Sequence, residues 1–121
     1  MFEIDITRNF SAAHQLKGYD GDCAFLHGHN WNVTVTVRTE SLDKIGIAVD
    51  FRKLKKELDR IILKLDHSHL NKLFHSPNPT SECVAKFIYD NLSKKINDKR
   101  IRVFKVRVSE SNDTGASYFE P

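Results

Sequence analysis

The chain has 121 residues, 40% of them hydrophobic and 29% charged, with a formal net charge of +3 at pH 7. A chain of this length builds one good core and not two, so a single domain over residues 1–121 is expected. The absence of an apolar run of about 18 residues argues against a membrane span, the mild and mixed charge gives no footprint for nucleic acid, and Cys23 and Cys83, at unrelated positions, supply no disulfide framework.

Phe2, Ile4, Ile6, Phe10 and Ala12 alternate with Glu3, Asp5, Thr7, Asn9 and Ser11, the period of a half-buried strand. Arg8 interrupts the apolar face, and His14 falls on it. The opening MFEIDITRNF lacks the basic-then-apolar layout of a secretory leader, so a cytoplasmic location is expected. Residues 15–25, with Gly18 and Gly21, read as a loop that carries Cys23 at its end. From His29 the alternation resumes, with Trp31, Val33, Val35 and Val37 on one side and Asn32, Thr34, Thr36 and Arg38 on the other, a second strand.

After a turn around Gly46, Asp50 stands where an N-cap would accept orphan backbone N–H groups. Leu54, Leu58, Ile61, Ile62 and Leu65 follow at helical spacing, and the lysines between them form a solvated face. HSHLNKLFHSPNPT, broken by Pro77 and Pro79, reads as a loop, in which His69 and His75 are ordinary loop histidines. Thr80 caps a second helix with Val84, Phe87, Ile88 and Leu92 as its buried stripe, and Cys83 is read as a small buried apolar residue. Val103 to Glu110 alternate as a strand whose apolar side is Phe104, Val106 and Val108, and Ala116 to Glu120 form a last one after a turn at Gly115. The order is ββααββ, which makes an antiparallel sheet with both helices on one face, an α+β fold.

The chemistry concentrates in Cys23 to His29. On a strand, His27 and His29 are at i and i+2 and project from the same face, with Gly28 between them to let the backbone approach or bend. Such a pair alone is often two half-exposed rings. His14 supplies a third imidazole, and three histidines make a shell that leaves one position free for water or substrate, the layout of a catalytic metal site rather than a closed structural one. Cys23 has a use there as well, because a thiol near a cation gives up its proton more readily and can then accept one in turn. Asp66 beside His67 admits two readings, a carboxylate that orients a proton-transferring imidazole or a cationic His at a helix C-terminus. Glu110 places a carboxylate on the apolar side of its strand, where it either reaches solvent at the strand end or receives the N–H donors of a heterocycle.

FSAAH at 10–14, CAFLHGHNW at 23–31, VDF around Asp50, LDHSHLN at 65–71, NPTSE at 78–82 and the strand ending in Glu110 occur in an order that resembles the 6-pyruvoyl-tetrahydropterin synthase superfamily over nearly the whole chain. Three residues separate Cys23 from His27, which is similar to the bacterial 6-carboxy-tetrahydropterin synthase subgroup of the queuosine and 7-deazapurine pathways. The resemblance implies zinc held by His14, His27 and His29, proton abstraction by Cys23, and relay partners in Asp66 and His67. It also implies Glu110 as the pterin anchor that joins the relay, and Thr80, Ser81 and Glu82 as pterin contacts. It implies the tunnelling fold, in which subunits close edge to edge into a β-barrel as a homohexamer of two stacked trimers, and a substrate, 7,8-dihydroneopterin triphosphate, converted to 6-carboxy-tetrahydropterin, acetaldehyde and triphosphate. A 6-pyruvoyl product and a folate-branch 6-hydroxymethyl product are the alternatives. The latter group usually replaces or supplements the cysteine with a glutamate near the site, whereas residues 20–26 hold Asp20 and Asp22 but no Glu. A non-catalytic zinc-binding module and a hydrolytic zinc enzyme are the readings from other classes, and neither has a use for Cys23.

Overall fold

The computed structural model describes residues 1–74 and 78–121, so the expectations for His75 and Pro77 lie outside the described residues. In chain order the elements are β1 (Phe2–His14), β2 (His27–Thr39), α1 (Phe51–Leu65), β3 (Ser68–His69), α2 (Leu70–Leu73), α3 (Ser81–Ile96), β4 (Ile101–Ser109) and β5 (Ala116–Phe119). The sheet runs β3-β1-β2-β4-β5. β1 and β2 pair antiparallel in unbroken register from Phe2↔Thr39 to His14↔His27, so the apolar residues of each face those of the other: Phe10 lies opposite Trp31 and Ile6 opposite Val35. The residues that sequence alternation places on the core side, Ile6, Phe10, Trp31, Val33, Val35 and Val37, are all buried. Arg8 is tolerated on that side because its guanidinium reaches Asp59 of α1 at 2.8 Å.

Both long helices start where their caps stand. Asp50 accepts from the Arg52 N–H and Thr80 from the Cys83 N–H. Leu54, Leu58, Ile61, Ile62 and Leu65 of α1 are buried, as are Val84, Ala85, Ile88, Tyr89, Leu92 and Ile96 of α3. Phe87 and Cys83 are only half-buried, so Cys83 is less enclosed than a core residue. The α+β expectation holds, with two corrections. The segment read as a loop after Asp66 contains β3 and the short helix α2, and β3 runs parallel to β1 through Ala12↔Ser68 and Ala13↔His69, which makes the sheet mixed rather than purely antiparallel. Within one chain the sheet is open and not a barrel. In β4 a register shift opposite Thr36 and Val37 breaks the simple alternation. Val103, Val106 and Val108 face the core, and Phe104 is displaced to a half-buried position.

The opposite, helix-free face of the sheet carries the polar alternates: Glu3, Asp5, Thr7 and Asn9 of β1, Asn32 and Thr34 of β2, and Arg102, Lys105 and Arg107 of β4. The carboxylates of this face are on β1, where Glu3 pairs with Arg38 of β2 at 2.5 Å, and the remaining cations are on β4. Only Ala12 and Ala13 of β1 are paired to β3, which leaves the rest of that strand's outer edge without a partner among the described residues. No helix among the described residues is long and apolar enough to cross a membrane.

Candidate metal centre

The register that ends β1 opposite the start of β2 sets His14 directly across from His27, with His29 on the same face. His14, His27, His29 and Glu110, which follows the last residue of β4, each offer a ligand atom within 4.8 Å of the others. Ring centroids of His14 and His27 are 4.6 Å apart, as are those of His27 and His29. The Trp31 ring stands edge-on beneath His14 at 4.8 Å, fixed by its indole N–H to the Ala12 carbonyl. His14 is wholly buried.

The backbone sets the tautomers. His14 Nδ1 lies 2.8 Å from the Pro79 carbonyl and His27 Nδ1 lies 2.7 Å from that of Phe25. A carbonyl only accepts, so each Nδ1 carries the proton and, in the neutral ring, each Nε2 presents a lone pair. The Nε2 atoms of all three histidines are buried and have no hydrogen-bond partner. Burial pushes the His29 pKa down, against the attraction of Glu110, which favours the neutral, ligating form. Three converging unsatisfied nitrogens are what a buried polar cluster does not tolerate without a cation between them, and three imidazoles with a carboxylate suit a divalent transition metal.

Cys23 sits in a single 3-10 turn, Asp22–Ala24, half-buried and free of any disulfide, with its carbonyl accepting from the Leu16 N–H at 2.7 Å. Its sulfur lies outside the four-residue group, so it is near the centre in sequence without being one of the gathered ligand atoms. The Cys23 loop is held by two residues to which the sequence pattern assigns no role. Asn71 accepts from and donates to the Gln15 main chain, and Asn78 does the same for Lys17. Each imitates a strand neighbour with a side-chain amide, and N-rich loop segments beside a site were the signal for them.

Asp66 caps the end of α1. Its carboxylate accepts from the Ser11 N–H at 2.9 Å and from the His67 ring at 3.0 Å, and the His67 N–H donates to the Ser11 carbonyl. The Ser11 N–H is the main reason the Asp66 carboxyl titrates below its ordinary value, with His67 adding to it. His67 has φ +56, and its ring is 84% exposed. It borders a depression that Ala12, Ala13, Gly28 and His29 also line, so of the three clustered histidines His29 shares a surface with the His67 ring. No hydrogen bond joins Cys23 to Asp66 or His67 among the described residues. Of the three positions at the head of α3, Thr80 is occupied as the cap, Ser81 donates to Glu110 at 3.0 Å, and Glu82 is exposed in the first turn, where it suits the helix dipole and does not join the cluster. His69 lies in β3 with Nδ1 buried and unpartnered among the described residues. A larger cavity, of about 710 Å³, opens at the far end of the sheet between Arg38, Tyr89, Arg100 and Phe104 and is lined by none of the histidines.

A model of the family described as 6-pyruvoyl tetrahydropterin synthase matches residues 3–121. The chain is 34% identical over 119 residues to a 6-carboxy-5,6,7,8-tetrahydropterin synthase of Synechocystis, covering 93% of this chain and 89% of that one. It is 35% identical over 107 residues to a dihydroneopterin monophosphate aldolase of Pyrococcus furiosus, covering 88% of each. The fold superposes on the structure of 6-pyruvoyl tetrahydropterin synthase from Caenorhabditis elegans with a TM-score of 0.86 at 27% identity, over 99% of this chain and 96% of that one.

Proposed function

Because this chain belongs to the 6-pyruvoyl tetrahydropterin synthase family, we propose that it is a zinc-dependent 6-carboxy-5,6,7,8-tetrahydropterin synthase. It would take 7,8-dihydroneopterin triphosphate and water to 6-carboxy-tetrahydropterin, acetaldehyde and triphosphate, in the cytoplasm, as a step of queuosine or other 7-deazapurine synthesis. The observation that carries this reading is the convergence of three buried, unpartnered histidine Nε2 atoms beside a carboxylate, joined to relatives named for that activity at 34–38% identity.

His14, His27 and His29 would hold the zinc. When bound, it supplies Lewis acidity toward the side-chain oxygens of the substrate and so makes the neighbouring C–H and O–H protons easier to remove. Cys23 removes a proton from the side chain. His67, oriented by the Asp66 carboxylate, gives and takes protons on the other side. Glu110, steadied by the Ser81 hydroxyl, receives the N–H donors of the pterin ring and fixes which face of the ring meets Cys23. Thr80 and Glu82 at the same helix start complete the pterin contacts. We place the working site between subunits of a homohexamer built from two trimers, closed over the open edges of β1 and β5. The domain 1–121 acts as one unit.

The Pyrococcus relative, matched as well as the Synechocystis one, favours a second reading, an aldolase that cleaves the pterin side chain. One experiment separates them: mass spectrometry of products after zinc-loaded protein meets 7,8-dihydroneopterin triphosphate, with acetaldehyde assayed in parallel. A carboxy-pterin with stoichiometric acetaldehyde is expected. A hydroxymethyl or pyruvoyl product moves the chain to another branch, and no turnover by the metal-loaded protein removes the synthase reading.

A further inference from the structure

The geometry points to a second duty for Glu110: in the substrate-free protein its carboxylate is the fourth ligand of the metal, and recognition of the pterin ring withdraws it. This rests on the reading that the histidine cluster holds a divalent metal. Glu110 oxygens stand 3.3 Å from His29 Nε2 and 3.6 Å from His14 Nε2. A direct charge-assisted hydrogen bond would be about 2.7–2.9 Å, whereas the donor atoms of a tetrahedral shell with bonds of about 2.0–2.1 Å lie about 3.3–3.4 Å apart. Oε2 therefore sits at ligand-to-ligand spacing from His29 Nε2, and the 3.6 Å to His14 belongs to the other oxygen, Oε1.

Proton bookkeeping leads to the same place. His14 Nδ1 has its hydrogen committed to the Pro79 carbonyl. In the neutral ring the buried Nε2 then faces an oxygen of the half-buried Glu110 lone pair to lone pair. A shared cation relieves that conflict, since each lone pair then becomes a ligand. The Ser81 hydroxyl holds Oε1 at 3.0 Å, which leaves Oε2, the oxygen nearer His29, as the natural donor.

With Oε1 held by the Ser81 hydroxyl and Oε2 turned to the metal, a ring that brings two N–H donors to the carboxylate competes with the metal for Glu110. When the ring takes the carboxylate, a coordination position opens for the substrate's side chain. Water is kept off the metal until the right heterocycle arrives, and selection of the ring and exposure of the metal become one event.

The test is the crystal structure of the zinc-loaded, substrate-free full chain, with the ion located by anomalous scattering. A Glu110 oxygen at about 2.0–2.2 Å from zinc is expected. Water in the fourth position, with Glu110 outside bonding distance, overturns this inference and leaves the three-histidine site standing. Failure to take up stoichiometric zinc overturns the underlying reading instead. In solution, azide titrated into the Co2+-substituted protein and followed by d–d absorption should bind roughly tenfold tighter once unsubstituted pterin is added, a coupling in the usual range. Azide affinity indifferent to pterin overturns the switch.

Discussion

His14, His27 and His29 are legible from sequence because only a histidine supplies an imidazole and because strand period aligns them. Pro79 is not, since its contribution to the centre is a backbone carbonyl that any residue carries. Glu110 is legible as an oddly placed carboxylate, but its arrival among the histidines depends on tertiary pairing that no local pattern encodes. Cys23 lies outside the ligand group, so Cys23→Ala should bind zinc as the parent does, by metal analysis, while turnover falls by about 10²–10⁴-fold; full activity would remove Cys23 as the base. Asp66 gives a pH prediction. Its folded-state pKa is lowered, so its ionised form contributes stability above the ordinary carboxyl range, and that contribution is lost as pH falls through the lowered value. Asp43, Asp50 and Asp98 are lowered in the same way, chiefly by the N–H groups of Ile47, Arg52 and Ile101. The thermal midpoint should drop steeply below about pH 4 as these carboxylates protonate, and the advantage of the parent over Asp66→Asn should shrink over that same acid range. A constant difference down to pH 2 would contradict the assignment.

Among the elements, the long ones announce themselves. The repeat of Leu54, Leu58, Ile61, Ile62 and Leu65 with Asp50 before it leaves little choice but α1, and the matched alternations of β1 and β2 admit one hairpin register. β3 and α2 are silent in sequence because two and four residues are too few to show a period, and β3 exists only because the Ala12–Ala13 edge of β1 is there to receive it. The shift in β4 hides for a related reason, since a one-residue bulge is fixed by the partner strand. The segment between α2 and α3 is where element and chemistry meet: Asn78 holds the loop, Pro79 orients His14, and Thr80 starts the helix. Thr80→Ala should destabilise the fold by about 1 kcal/mol in urea unfolding, and it should also weaken zinc binding, because the Pro79 carbonyl loses its anchor. Unchanged zinc affinity in that variant would separate the cap from the centre.

On the scale of the whole molecule, a buried cluster of unsatisfied nitrogens is a debt that metal binding settles in the folded state alone. Chelation of the zinc-loaded protein should lower the thermal midpoint, by the equivalent of about 2.7 kcal/mol where free metal had stood at a hundred times its dissociation constant. His14→Ala should abolish that difference, and a midpoint indifferent to chelator would mean that the centre is not coupled to folding. The architecture class followed from counting strands and helices, whereas the open edge of β1 and what completes it are properties of surfaces, which alternation does not rank. The polar, helix-free face has one more consequence. With Glu3 and Asp5 toward one side of the sheet and Arg102, Lys105 and Arg107 toward the other, each protomer carries a lateral electric dipole directed across its strands. In the ring proposed above, head-to-tail neighbours would bring the negative flank of one to the positive flank of the next, so assembly from dilute protomers should respond to ionic strength.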